Sequence, residues 1–411
     1  MLGPNRPTPG WEARADGKYQ NPIGLEEFRK LIIAHIRDRL QSRHVDPHWQ
    51  AMLREISDEV LDGRMDGPYQ APPEWGTTTV PAPQFSHLKQ LLPLPAGDCF
   101  AAVAFAVQQT SADGSDKTRR CEDWRRSFHN STFGAGDVPM HHTVQTYVDA
   151  CAWLFESGSE PSISGQDLRG AYRQWPIRDP CHAYLILFTP SGPMLFRHHT
   201  MPFGAAASVW QFNRIIDALM FISRNLLAIA LIHYVDDLGI ISAVCDSEAS
   251  HRAFGRLCDL LRIQLKPSKE QPPAQVQKIQ GVFIRIHSSG ITVEPDPDRV
   301  KKLQTEIRSI LAAGSLDPDE ASKLAGKLSF VATTLFGQVG KGPLGPVYKR
   351  AHEPSRASLT PVLSQSLRTL LRVLDYSAPR FCPWPSLSPD IAVIYADAYF
   401  QAGDDAKSGK R

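Results

Sequence analysis

A chain of 411 residues with 42% hydrophobic and 21% charged residues has the make-up of a folded protein of two or three compact units, not of a disordered one. Its formal net charge of +2 is close to neutral, so overall charge announces no polyanionic partner, and any such claim must rest on local patches. The seven cysteines (Cys99, Cys121, Cys151, Cys181, Cys245, Cys258 and Cys382) are odd in number and scattered, with no Cys-x-x-Cys pair, which supports neither a zinc ribbon nor a disulfide framework.

Free thiols in a reducing, intracellular compartment are therefore expected. Met1 leads into Gly, Pro and Asn, so no signal peptide is read and secretion is not expected. After Pro4, Pro7 and Pro9, an amphipathic helix is predicted from about Leu25 to Leu40, with Phe28, Leu31, Ile32, His35 and Ile36 on one face. A second helix is predicted from His48 to Leu61. The proline-rich stretch from Pro72 to Pro95 reads as a linker or extended arm. No chemistry attaches to residues 1–95, which read as a scaffold or packing extension.

An apolar strand follows from Cys99 to Val107, then a polar loop from Gln108 to Asp116. Lys117-Thr118-Arg119-Arg120-Cys121-Glu122-Asp123-Trp124-Arg125-Arg126 sets five cations against two acids and is the densest basic patch; the plain alternative is a solvated strand face. Asn130-Ser131-Thr132 matches a glycosylation sequon and is incidental without a secretory route. Within Ser164 to Ile177, Asp167 ends a short strand and Tyr172 stands five positions on. Ala183–Phe188 and Met194–Arg197 read as a hairpin around Thr189-Pro190-Ser191-Gly192. Met201-Pro202-Phe203-Gly204 leads into a helix with Val209, Phe212, Ile215, Ile216 and Leu219 on one face. The apolar run from Ala218 to Ile232 is broken by Ser223, Arg224 and Asn225 and is too short to span a bilayer, so no membrane partner is expected. The pairs His141-His142 and His198-His199 make no two-ligand metal site if they lie on strands, and read as surface or packing residues.

Ile229–His233 and Leu238–Ser242 read as two strands flanking the turn Tyr234-Val235-Asp236-Asp237. Adjacent carboxylates repel, and apolar flanks raise the cost of keeping them ionised unless a cation sits between them. A turn with no such task would more cheaply be Asn-Gly. The alternative is an ordinary exposed Asp-Asp turn. A helix from Ser247 to Ile263 follows, then Gln264 to Lys269, then a glycine hairpin, Ile279-Gln280-Gly281-Val282-Phe283-Ile284. Two helices are predicted between 297 and about 350, marked by Val300, Leu303, Ile307, Leu311 and by Leu324, Leu328, Val331, Leu335. Gly337 to Gly342 lacks the spacing of a phosphate loop and is rejected as one.

The order Asp167…Tyr172, Met-Pro-Phe-Gly, then Tyr-Val-Asp-Asp resembles the palm of a reverse transcriptase, the RNA-directed DNA polymerase of retroelements, over roughly Phe100 to Val347. The resemblance implies an α+β right-hand polymerase: an N-terminal extension (1–95), fingers (96–162), palm with an antiparallel sheet (163–293), helical thumb (294–350), and a connection with a truncated ribonuclease H-like start (351–411). It implies that Asp167, Asp236 and Asp237 hold two Mg2+ ions, with Mn2+ as a substitute, Asp237 being auxiliary. Hard cations take oxygen ligands, which is why carboxylates suit them. Lys117 and Arg119 would close on the incoming triphosphate, where cationic side chains offset phosphate charge. Tyr172 would be the steric gate beneath the sugar, excluding a 2′-hydroxyl; its plain alternative is core packing. Phe203 and Gly204 would pack near nucleotide and template, Tyr234 would support the hairpin at the primer end, and Gly281 would belong to the primer grip. Lys269 would protonate the departing pyrophosphate, with Lys266 a near competitor. The implied partners are an RNA template, a DNA primer and dNTPs, within a larger retrotransposon polyprotein. Ile391 to Ala398 reads as a strand ending in an acid, and Asp397 resembles the first metal-binding residue of a ribonuclease H domain. With only 400–411 beyond Tyr399, DNA synthesis without hybrid degradation is expected. Two rival readings stand beside this one: a decayed palm that only binds nucleic acid, and an RNA-dependent RNA polymerase sharing the same metal logic.

Overall fold

The computed structural model describes residues 3–5, 7–42, 44–110, 116–335, 339–353, 357–376 and 378–385. They form two compact units: residues 1–147 with 162–280, and residues 148–161 with 281–411. The terminal strand from Ile391 to Ala398 with Asp397 lies outside the described residues, as do Gly337 and Gln338.

The first unit is built on two sheets. A five-stranded sheet runs in the order Met65–Tyr69, Gly192–His198, Tyr184–Thr189, Ala101–Thr110, Asp116–Glu122. All neighbours are antiparallel except Ala101–Thr110 with Tyr184–Thr189. The centre strand Tyr184–Thr189 is buried along its whole length. Its period of two divides the side chains: Tyr184, Ile186 and Phe188 pack with Phe28, Ile32 and Ile36 of helix α1 (Leu25–Ser42), while Leu185 and Leu187 pack with Met52, Leu53 and Ile56 of α2 (Trp49–Leu61). A strand wrapped on both faces reads as one continuous apolar run, which is what Tyr184 to Phe188 is.

The four-stranded sheet has the order Ala230–Tyr234, Asp237–Ala243, Pro161–Asp167, Gln271–Ala274. Helix α3 (Val144–Glu156) precedes it, and α4 (Ala206–Leu227) and α5 (Ser247–Leu260) pack on it through Phe212, Ile216, Leu219, Phe254 and Cys258. The helical face predicted from Phe212, Ile216 and Leu219 is the buried one.

The second unit contains an antiparallel run of Val282–His287, Gly290–Pro295 and Arg380–Pro383. Its core joins Leu303 and Ile307 of α6 (Pro297–Ala313), Leu324, Leu328 and Val331 of α7 (Pro318–Ala332), Val347 of α8 (Gly345–Ala351) and Leu367 and Leu370 of α9 (Pro361–Tyr376). Asp296 caps α6 by accepting from the amide of Asp298 at 3.0 Å, and Gly314 ends it at φ 65°.

The α+β class expected from the sequence is the class observed. One expectation is corrected and two are refined. Pro72–Pro95 is no free linker: it forms short 3-10 turns at Pro73–Trp75 and Ser86–Leu88, and Trp75, Ala82 and Leu88 are buried. Proline there saves backbone entropy while apolar neighbours supply the packing. The basic patch is not a uniform surface, because its strand alternates: Lys117 and Arg119 point out, while Arg120 points in with a side chain 4% exposed. His141 and His142 lie on no strand, and both rings gather around buried His233, at 6.2 and 5.4 Å between centroids. Among the described residues no helix is long and apolar enough to cross a membrane.

Candidate active site

Two adjacent strands carry the acids. Asp167 is the last residue of a strand buried throughout and is itself 6% exposed. Asp237 opens the neighbouring strand, and Asp236 occupies the turn between Tyr234 and Asp237, which pair across the hairpin. The turn is strained: Val235, a β-branched residue, sits at φ 55°, where such side chains cost about 1–3 kcal/mol. Gly239 has a local reason to be glycine, since a Cβ there would overlap the buried hydroxyphenyl ring of Tyr147.

The end of the Asp167 strand is fixed by its surroundings. The carbonyl of Asp167 accepts from the amide of Lys266 at 2.8 Å, and the amide of Arg169 donates to Gln264 O at 2.9 Å. The Gln174 amide group donates to Gln264 O at 2.9 Å and accepts from the Gln264 amide at 2.7 Å. Behind the strand, buried His251 lies 3.0 Å from Ser164 Oγ and 2.7 Å from Glu270 Oε1.

Charge concentrates at this end. The Lys269 ammonium donates to Asp167 Oδ2 at 2.6 Å, and that bond raises the lysine's pKa, helped by the charges of Asp236 and Asp237. Asp236 lies above the usual carboxylate range, first because it is half-buried and further because of the negative charge of Asp167; a backbone hydrogen bond and Lys269 pull the other way. Asp237 is also raised, by burial and then by Asp236 and Asp167, although part of its surface meets solvent. Asp236 and Asp237 therefore both feel the charge of Asp167. They do not converge to within 4.8 Å as a trio; among the described residues only Asp179, Cys181 and His182 do so, where Asp179 caps a short turn by accepting from the Cys181 amide at 3.2 Å. Carboxylates that repel one another, with Lys269 bound to one, have no reason to crowd. Their donor set, oxygen alone, suits a hard divalent cation such as magnesium.

Tyr172 lies in the 3-10 turn Ala171–Gln174, with its ring 5.2 Å from Phe203 and 4.6 Å from Phe212. Burial pushes its hydroxyl up to about 12, aided by the charge of Asp236. The ring thus packs on the α4 core and also stands within the electrostatic reach of the acidic turn. Phe203 is 51% exposed, and Gly204 takes φ 82°, where an added Cβ would stand 3.3 Å from Trp124 Cδ1. Two residues not among the expected site residues hold this loop. The Trp124 indole donates to Phe203 O at 2.9 Å, and Asn130, read only as an incidental sequon, donates to Gly204 O at 3.2 Å and accepts from the Ala206 amide at 2.8 Å.

Tyr234 is 45% exposed, with its ring 5.2 Å from His141. Lys117 and Arg119 are exposed on the edge strand of the five-stranded sheet, not the sheet that bears the acids. Gln280 and Gly281 are consecutive left-handed residues at φ 50° and 77°, and Gly281 belongs to the second unit, where a Cβ would meet the Arg299 guanidinium at 3.1 Å.

No family model matches the chain, and no curated protein matches it. Among solved structures, the chain is similar to a foamy viral protease-reverse transcriptase dRH in complex with ds DNA, at 13% identity and a TM-score of 0.49. The match covers 90% of this chain and 63% of that one, so this chain spans less than two thirds of that protein's length.

Proposed function

We propose that this chain is an RNA-directed DNA polymerase, of retroelement origin, that transfers a nucleotide from a dNTP to a primer 3′-hydroxyl. The observation that carries the reading is the placing of Asp167, Asp236 and Asp237 at one end of a single sheet, where the charge of Asp167 helps to raise both Asp236 and Asp237, with Lys269 on Asp167. A structural turn gains nothing from two acids whose charged forms are disfavoured by burial and by a third acid on the next strand. A site that binds cations does.

Asp167 and Asp236 would hold two magnesium ions between them, with Asp237 alongside. Magnesium bound there would act as a Lewis acid on the attacking hydroxyl and on the leaving phosphates. The remaining work falls to the chain itself. Lys269 carries a proton beside Asp167 and can give it to the departing pyrophosphate. Tyr172 packs against Phe203 and Phe212, so a sugar placed over it would bring a 2′-hydroxyl against the ring. Phe203 and Gly204 would form the floor beside the nucleotide, and Lys117 and Arg119 would meet its triphosphate. In the same reading, RNA template and DNA primer are the partners, and the chain works inside the cell as part of a longer polyprotein.

The test is primer extension on an RNA template with deoxynucleotides and magnesium. Wild-type chain should extend the primer, and Asp167→Asn and Asp236→Asn should abolish extension while keeping duplex affinity. Near-normal extension by either variant would refute the metal assignment.

A further inference from the structure

We propose that Glu59, in helix α2, is a positioning residue of the nucleotide site: its carboxylate joins the strand bearing Lys117 and Arg119 to the turn bearing Tyr172. This deepens the polymerase reading and rests on it. The N-terminal residues, to which the sequence attaches no chemistry, thereby become part of the site's framework.

Glu59 is 7% exposed and accepts hydrogen bonds from two arginines, with Arg64 Nε a further 3.8 Å from its Oε1. Its Oε2 accepts from Arg120 Nη2 at 2.8 Å and from Arg173 Nη2 at 2.7 Å, and its Oε1 accepts from Arg173 Nε at 3.0 Å. Each arginine directly follows a residue of the nucleotide site. Arg120 follows Arg119, and strand alternation sends the one inward as the other faces out. Arg173 follows Tyr172 in the same 3-10 turn. One buried carboxylate thus fixes the distance between a triphosphate-facing strand and the gate.

The connection continues to the third element. Arg173 Nη1 donates to Thr200 O at 3.1 Å, just before Phe203. Arg120 Nη2 also lies 3.4 Å from Glu122 Oε1, and Glu122 Oε2 accepts from the Trp124 indole at 3.1 Å, the same N–H that holds Phe203 O. His198, fully buried, sits 3.0 Å from Arg173 Nη1 and 3.2 Å from Glu122 Oε1. Burial works to raise both Glu59 and Glu122, but the cationic neighbours outweigh it and keep both acids ionised.

Stability is a poor account of this cluster. Buried ion pairs are often no more stable than apolar packing of the same volume. Met52, Leu53 and Ile56 already bury α2 against the sheet. What paired charges supply is directional geometry: a bidentate guanidinium accepts one orientation, where an apolar contact accepts many.

The experiment is single-nucleotide incorporation by the full chain, with dNTP and rNTP, for wild type, Glu59→Gln and Trp124→Phe. Loss of a charge-assisted bond in the buried framework should raise KM for dNTP about tenfold, with a much smaller change in kcat. Discrimination against rNTP should fall, and Glu59→Gln should add little to a Tyr172→Val background, because both act on one pocket. A purely structural role would lower the thermal midpoint and the active fraction while leaving KM and the dNTP/rNTP ratio unchanged; that outcome overturns the inference. Should Glu59→Gln fail to fold, Arg173→Lys keeps the charge but loses the fork, and must show the same KM shift. Incorporation by wild type with unaltered variants overturns the positioning role alone. No incorporation by folded wild type overturns the polymerase reading and this inference with it.

Discussion

Replacing Asp236 by asparagine should make the fold more stable at pH 7 while abolishing the activity proposed for it. Asp236 has a raised pKa, chiefly through burial and then through Asp167, so its ionised form is disfavoured in the folded chain. The sign follows from linkage. A carboxylate raised above its ordinary 3.8 favours folding at low pH, and that contribution is lost as pH rises through the folded value. At pH 7 the charge is present and unfavourable, and asparagine removes it while keeping the shape. Two like charges about 4 Å apart repel by about 1 kcal/mol in water and about 4 kcal/mol near a protein surface, upper bounds for acids that do not converge to within 4.8 Å as a trio. Lys269 and partial solvent screening offset much of this, leaving a net gain of about 1 kcal/mol, or a rise of about 2–4 °C in the thermal midpoint. Magnesium should reverse the order: at about 10 mM with a dissociation constant near 1 mM, it adds about 1.4 kcal/mol to wild type and less to the variant. The assay is thermal unfolding of both proteins at pH 7 and at pH 4, with and without magnesium. The variant's advantage should shrink at pH 4. A variant less stable than wild type at pH 7 without magnesium, or an equal magnesium shift in both, would refute the electrostatic reasoning.

Tyr172→Val should admit ribonucleotides while deoxynucleotide incorporation survives; an unchanged incorporation ratio would return Tyr172 to a packing role against Phe212. Lys269→Met should slow extension by about 100-fold, as loss of a positioned proton donor does, with duplex affinity measured separately and expected to hold. Gly239→Ala should destabilise the fold by about 1–3 kcal/mol through overlap with Tyr147, read as a lower urea midpoint; an unchanged midpoint would mean that the helix yields freely.

The periodic elements were legible because their signal is local. The face of α4 follows from Phe212, Ile216 and Leu219 at helical spacing, and the acidic hairpin from two β-rich runs around Asp236-Asp237. Tyr172, Phe203 and Gly204 could be singled out by the resemblance of their motifs to a reverse-transcriptase palm, but their contacts could not. Trp124 and Asn130 hold the Phe203–Gly204 loop from more than 70 residues away, and no pattern near either announces it.

By itself the sequence determined the helical and strand periods and the acids that make a cation-binding turn, since each depends on residue type and near spacing, while the α+β class came from the resemblance that its motifs carry. Only the tertiary structure decided which charges are buried. Arg119 and Arg120 are neighbours of the same kind, yet one meets solvent and the other meets Glu59, 61 residues earlier. A strand's alternation tells that two side chains part, but which face is inward depends on the helix that covers it. That helix, α2, lies in the segment the sequence left without a role, because the partner of a buried charge is chosen by distance in space and leaves no mark on spacing along the chain.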